Sequence, residues 1–251
     1  MLVALCIGNT SVYIGFFVDD EPIVLRLATK PIRETAEFRS AIEKAIADLG
    51  IGSPDGGVIS SVVPAYTEPM KAMLKEISGG KEPLIVSHRI IKDMKFSVKT
   101  PEALGPDRIS AAYGAWKLFG GPIAVVDMGT ATTINFITEE GVFLGGAILP
   151  GVALMRDALK ERTAKLPRVE LEKPPSPLGT NTKESILSGV IYGTAGAVAR
   201  ILEEAELERL ERFKVAVTGG HSELIGPYLK RVDFLEPSLV LKGMRLIHKN
   251  A

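Results

Sequence analysis

Among 251 residues there is one cysteine, Cys6. A single thiol closes no internal disulfide, so a hydrophobic core must hold the fold and a reducing compartment is expected. Histidine is nearly as scarce. His88, His221 and His248 are scattered without metal-ligand spacing and read as structural or surface residues. Net charge is absent: thirty Lys and Arg balance thirty Asp and Glu. No overall field draws the chain to nucleic acid or to an anionic membrane, so neither is expected as a partner. The N-terminal apolar run has no basic leader, and Gly8, Asn9 and Thr10 interrupt it after a few residues. It suits neither a signal peptide nor a membrane span, and a soluble, cytoplasmic protein is expected. There is no Gly-x-x-x-x-Gly-Lys-Ser/Thr loop, which excludes P-loop phosphate chemistry.

What is present suffices for a large core. Apolar residues make up 46% of the chain and charged residues 24%, close to the average for globular proteins. The length fits one large domain or two ordinary ones. Residues 2–7 and 11–18 read as short strands around a Gly-Asn-Thr-Ser turn, and 22–28 as a third. The stretch RETAEFRSAIEKAIADLG places Phe38, Ile42, Ala45 and Ile46 at helical spacing, with Gly50 as a stop. GGVISSVVP reads as a buried strand stopped by Pro64, AYTEPMKAMLKEISGG as a helix, and EPLIVS as a short strand. GPDRISAAYGAWKLFG is a helix with Asp107 in its first turn. From Gly121 to Gly151 the pattern is strand, turn, strand, turn, strand, followed by a helix over about 151–162. The segment 163–181 holds four prolines and is a long loop, which in a compact chain points to function. One long helix or two follow, then the strand FKVAVTGG and two closing helices.

The pattern repeats. With Gly8 laid over Gly129, LVALCIGNTSVYIGFFVDDE matches AVVDMGTATTINFITEEG in its apolar runs, and VISSVVP corresponds to VAVTGG. This suggests a duplicated α/β unit with a cleft between the copies. In the overlay Cys6 falls where the second copy has Asp127. A carboxylate just before a Gly-Thr turn can hold a cation or its water shell, and the turn's N–H groups and hydroxyls suit phosphate oxygens. Two such hairpins facing each other would hold one nucleotide's phosphates from both sides.

The motifs GNT, SSVVP, LGPDR, DMGTATT, GGAILPG, TAKLP, GTNT and TGG occur in this order. Together they resemble type III pantothenate kinases, the Bvg accessory factor group of the acetate and sugar kinase, Hsp70 and actin superfamily. The resemblance runs from Met1 to about Gly220. It implies an α/β fold of two ribonuclease-H-like domains, an actin-like ATPase duplication with a nucleotide cleft between them. The expected division is 1–119 and 120–251. It also implies phosphoryl transfer from ATP with Mg²⁺ to pantothenate, a monovalent cation (K⁺ or NH₄⁺), and a homodimer.

By the same resemblance, Asp107 matches the catalytic base, and Gly105, Pro106, Asp107, Arg108 and Thr182 match substrate contacts. Cys6, Ile7, Gly8, Asn9, Thr10, Ser11, Val12, Tyr13 and Thr130 match ATP contacts, and Asp127 matches the monovalent-cation ligand. Simpler uses stand beside these. Asp107 can serve the helix dipole, Arg108 a surface ion pair, Thr182 a helix N-cap, and Asp127 with Thr130 a capped turn. Two positions depart from the family pattern, which has Asp where this chain has Cys6 and Asn135. A thiol is a poor ligand for hard Mg²⁺, and the alternative use of Cys6 is as a small buried hydrophobe. The departures set a second reading beside the kinase: a weakly catalytic or inactive nucleotide-binding regulatory relative.

Overall fold

The computed structural model describes residues 1–29 and 34–251. Residue Arg33, where the first helical stretch begins in the sequence, lies outside the described residues. The chain divides into two compact units, one of residues Met1–Leu118 with Ser238–Ala251 and one of Phe119–Pro237. In chain order the first part comprises β1 (Leu2–Ile7), β2 (Ser11–Phe17), β3 (Ile23–Ala28), α1 (Thr35–Asp48), β4 (Gly56–Ser61), α2 (Pro64–Ile77), β5 (Leu84–Ile85), β6 (Lys95–Phe96) and α3 (Pro106–Phe119). Next come β7 (Ile123–Met128), β8 (Ala131–Ile137), β9 (Val142–Pro150), α4 (Val152–Arg162), α5 (Thr182–Arg209), β10 (Lys214–Thr218), α6 (Ser222–Ile225) and β11 (Phe234–Leu235), with α7 (Leu239–Asn250) last.

The two units share one sheet plan. In the first the order is β3-β2-β1-β4-β5, and in the second β9-β8-β7-β10-β11. In each, the first strand pairs antiparallel with the second and parallel with the fourth. The overlay of Gly8 on Gly129 is therefore structural. Cys6 and Asp127 are both the penultimate residue of their unit's first strand. Cys6 sits opposite Tyr13 and Ser60, and Asp127 opposite Thr133 and Thr218.

Strand periodicity sends alternate residues to opposite faces. In the first unit Val3, Leu5, Ile7, Val12, Ile14 and Phe16 pack with Phe38 and Ile42 of α1 and Met70 and Leu74 of α2. Cys6, Tyr13 and Ser60 take the other face. In the second unit Val126, Met128, Ile134 and Phe136 pack with Ile186, Val190, Ile191 and Val198 of α5. Helix α5 is a single helix of 28 residues. It is long and apolar enough to cross a membrane by length and composition, but its apolar side covers this sheet.

Several sequence expectations change. The strand β4 ends at Ser61, and Pro64 opens α2 instead of stopping a strand, as its preset φ and missing N–H allow at a first helical position. The two-residue strand β11 was not expected; it is too short to show a period. The larger difference is α7. The strand pattern places residues 238–251 with the second half, whereas α7 belongs to the first unit and packs on β1 and β4. The reason is a close crossing with α3. A Cβ on Gly114 would lie 2.9 Å from the Gly243 Cα, and one on Gly243 would overlap the Ser110 carbonyl oxygen. Gly243→Ala should therefore force α3 and α7 apart, at the cost of about 1–3 kcal/mol typical of overpacking. Thermal unfolding of the variant tests this, and an unchanged melting temperature would show that the crossing is loose.

Candidate functional site

Polar turns follow the first strand of each unit. In the first, the Gly8 N–H donates to the Ser11 carbonyl at 3.0 Å, closing the turn. The end of β3 holds it from the side. The Thr29 N–H donates to the Thr10 carbonyl at 2.9 Å, and the Thr29 hydroxyl to the Gly8 carbonyl at 2.7 Å. Asn9 and Thr10 are exposed at the tip. Ile7 and Val12 have their side chains in the core, so they can offer a ligand only main chain. The half-buried Cys6 and Tyr13 lie on the other face.

The LGPDR segment reaches the same end of the first sheet. The Val62 N–H, one residue past β4, donates to the Ile7 carbonyl at 3.0 Å. A Cβ on Gly105 would meet Val62 Cγ1 at 3.9 Å and Asp107 Oδ1 at 2.5 Å. A glycine here thus makes room for the Asp107 carboxylate. Pro106 opens α3, and the helix's first bond runs from the Ile109 N–H to the Gly105 carbonyl at 3.1 Å. Asp107 Oδ1 accepts the Arg108 N–H at 2.8 Å. Burial pushes the Arg108 guanidinium down from its ordinary value, while the neighbouring Asp107 acts the other way. Arginine still stays charged.

In the second unit the Gly129 N–H donates to the Ala131 carbonyl at 3.1 Å, and the Gly151 N–H to the Thr130 carbonyl at 3.1 Å. The loop after β10 closes on this turn, since the His221 N–H donates to the Met128 carbonyl at 3.0 Å. Gly219 has a φ of 95°, and any Cβ on it would overlap Asp127 Oδ1. Thr130 is exposed. Asn135 is fully buried and donates to Thr133 Oγ1 at 3.2 Å, on the same face of the sheet as Asp127 and beyond the turn.

Thr182 has a different place from the one its cap alternative gives it. The N-cap of α5 is Asn181, whose side chain accepts the Glu184 N–H at 3.0 Å. Thr182 instead lines a cavity of about 920 Å³ between α4 and α5, beside Leu154, Met155, Leu159, Ile186 and Val190.

Sequence reasoning missed Arg26 and Thr29, both at the first turn. A lone arginine in a strand carries no pattern until the register of β3 places it opposite Tyr13.

For a monovalent cation, Asp127 offers a hard oxygen donor, and the side-chain-free Gly219 lets the chain pass directly against that carboxylate. For Mg²⁺ the fit is poorer. Among the described residues no group of three His, Cys, Asp or Glu side chains could hold a metal ion, and Cys6 offers sulfur to an ion that takes oxygen. A divalent ion reaching this site therefore depends on oxygens other than those of a side-chain cluster.

Two units with the same strand order, each with a glycine turn after its first strand, define the actin-like ATPase class of fold. The activator of 2-hydroxyisocaproyl-CoA dehydratase from Clostridium difficile shares it, with a TM-score of 0.55 at 12% identity over 99% of this chain and 95% of that one. A conserved Baf family protein from Campylobacter jejuni gives a TM-score of 0.60 at 20% identity, covering 98% and 97%. The family model described as type III pantothenate kinase matches residues 2–204. The type III pantothenate kinase of Moorella thermoacetica is 36% identical over 253 residues, covering 99% of both chains. The chain belongs to the type III pantothenate kinase family.

Gly219→Ala should displace the Asp127 carboxylate, because backbone strain and steric overlap act together at that position. A lower melting temperature and a crystal structure with Asp127 moved are expected. An unshifted Asp127 would mean that the loop yields instead.

Proposed function

We propose that this chain transfers the γ-phosphoryl group of ATP to the primary hydroxyl of pantothenate, giving 4′-phosphopantothenate, the first step toward coenzyme A. Family membership supports the activity. The observation that carries the site is the placement of Asp107 and its glycine beside Val62, at the end of the sheet that bears the Gly8–Ser11 turn.

Asp107 accepts the hydroxyl proton as the pantothenate oxygen attacks the γ-phosphorus. The bond to the β,γ-bridging oxygen breaks, and ADP leaves. Arg108 binds the substrate carboxylate as a fork, with Gly105, Pro106 and Thr182 completing the substrate contacts. Residues Cys6 to Tyr13, largely through main chain, and Thr130 hold the nucleotide's phosphates. Kinases of this type use ATP with a divalent metal, which would neutralise phosphate charge when bound. Asp127 holds K⁺ or NH₄⁺. Membership of the family supports a homodimer. The balanced charge and single cysteine support a cytoplasmic enzyme without nucleic-acid or membrane partners. The inactive regulatory alternative is not favoured by the relatives, which are named as kinases.

A coupled ADP-release assay with pantothenate, magnesium and potassium should show turnover. Asp107→Asn should lower the rate by roughly two to four decades with the melting temperature unchanged. Near-normal turnover would remove Asp107 from the mechanism. Asp127→Ala should abolish activation by potassium, and an unchanged cation response would reassign that site.

A further inference from the structure

We infer that Arg26 is a phosphate-binding residue of the nucleotide site, a role that rests on the nucleotide reading above. Across the first sheet Ser60, Cys6, Tyr13 and Arg26 form one row on neighbouring strands β4, β1, β2 and β3. The matching row of the second unit is Thr218, Asp127, Thr133 and Ile148. One row carries a cation and a thiol, the other a carboxylate and no cation. The two turns are alike in backbone, and only the first has a guanidinium on its row, so a cation for anionic oxygens stands on that side.

Arg26 is exposed, yet it is not a freely solvated arginine. Its Nε donates to the Ser11 hydroxyl at 3.1 Å, and its guanidinium lies over the Tyr13 ring, 5.5 Å from the centroid. Ser11 is the residue whose carbonyl closes the Gly8 turn. The partners that hold Arg26 are a hydroxyl and an aromatic ring. Among the described residues it makes no ion pair, so no carboxylate spends its charge. Anchoring through Nε leaves the two terminal nitrogens for a ligand. Two parallel N–H groups suit a phosphate, and an arginine already held in place loses less freedom on binding. Where Cys6 supplies no carboxylate to hold a metal against the phosphates, a fixed guanidinium on the same row does the neutralising.

The test measures ATP and adenosine affinities by calorimetry for the native protein, Arg26→Gln and Arg26→Lys, with melting temperatures alongside. Loss of charge-assisted hydrogen bonds should weaken ATP binding by about tenfold or more in Arg26→Gln and leave adenosine unchanged. Arg26→Lys keeps the charge without the fork and should lie between. It also carries the test if the Gln variant does not fold. ATP affinity unchanged, or lost equally with adenosine, would overturn the role and leave Arg26 as a prop for Ser11 alone. If the native protein binds neither ligand, the nucleotide reading itself falls, and this inference with it.

Discussion

Each unit depends on how its first strand is paired, antiparallel on one side and parallel on the other. The antiparallel partner follows at once through a tight turn, which a parallel partner cannot do. The turn therefore falls at the end of a strand that is central in its sheet, next to the end of the parallel strand. Central strands are fully bonded along their length, so the turn's main-chain groups are held by a rigid support. Thr29 and Val62 in one unit, and Gly151 and His221 in the other, fasten the turns further through backbone or hydroxyl bonds. Chemistry at the turns needs few side chains, because the sheet does the positioning.

That economy explains how much of the site was legible in the sequence. Strand period and glycine turns marked β1, β2, β7, β8 and β9, and the overlay of the halves put Cys6 on Asp127, where the registers agree. The LGPDR motif marked the start of α3 because proline and an acidic residue both favour a helix N-terminus. Other features depend on distance in space. Arg26 became visible only when β3 was laid against β2. Asn135 reads as a lost charge at the site, and only the register shows it buried on the Asp127 face, two residues from Thr133. Thr182 suits a cap as well as a binding residue until Asn181 is seen to take the cap.

The fold was legible in its elements and less so in their assignment. An amphipathic helix announces a buried face without naming the sheet that buries it, and α7 was read with the wrong half for that reason. What decides its place is a pair of glycines 129 residues apart, Gly114 and Gly243, whose missing side chains let two backbones touch. No local pattern carries such information. The two-residue strand β11 escapes for a simpler cause, since two residues show no alternation.

The place of α7 has a consequence for the order of events during synthesis. The second unit is one continuous segment, whereas the first is interrupted by it and regains its last helix only at residue 239. A ribosome releases the first five strands early, but α7, which covers β1 and β4, emerges after the whole second unit. The face of the first sheet that bears Cys6 must wait through that interval without its closing helix, while the contiguous unit can finish before it. In topological terms the second unit is an insertion in the first, and the α3–α7 crossing is the clasp that closes behind it.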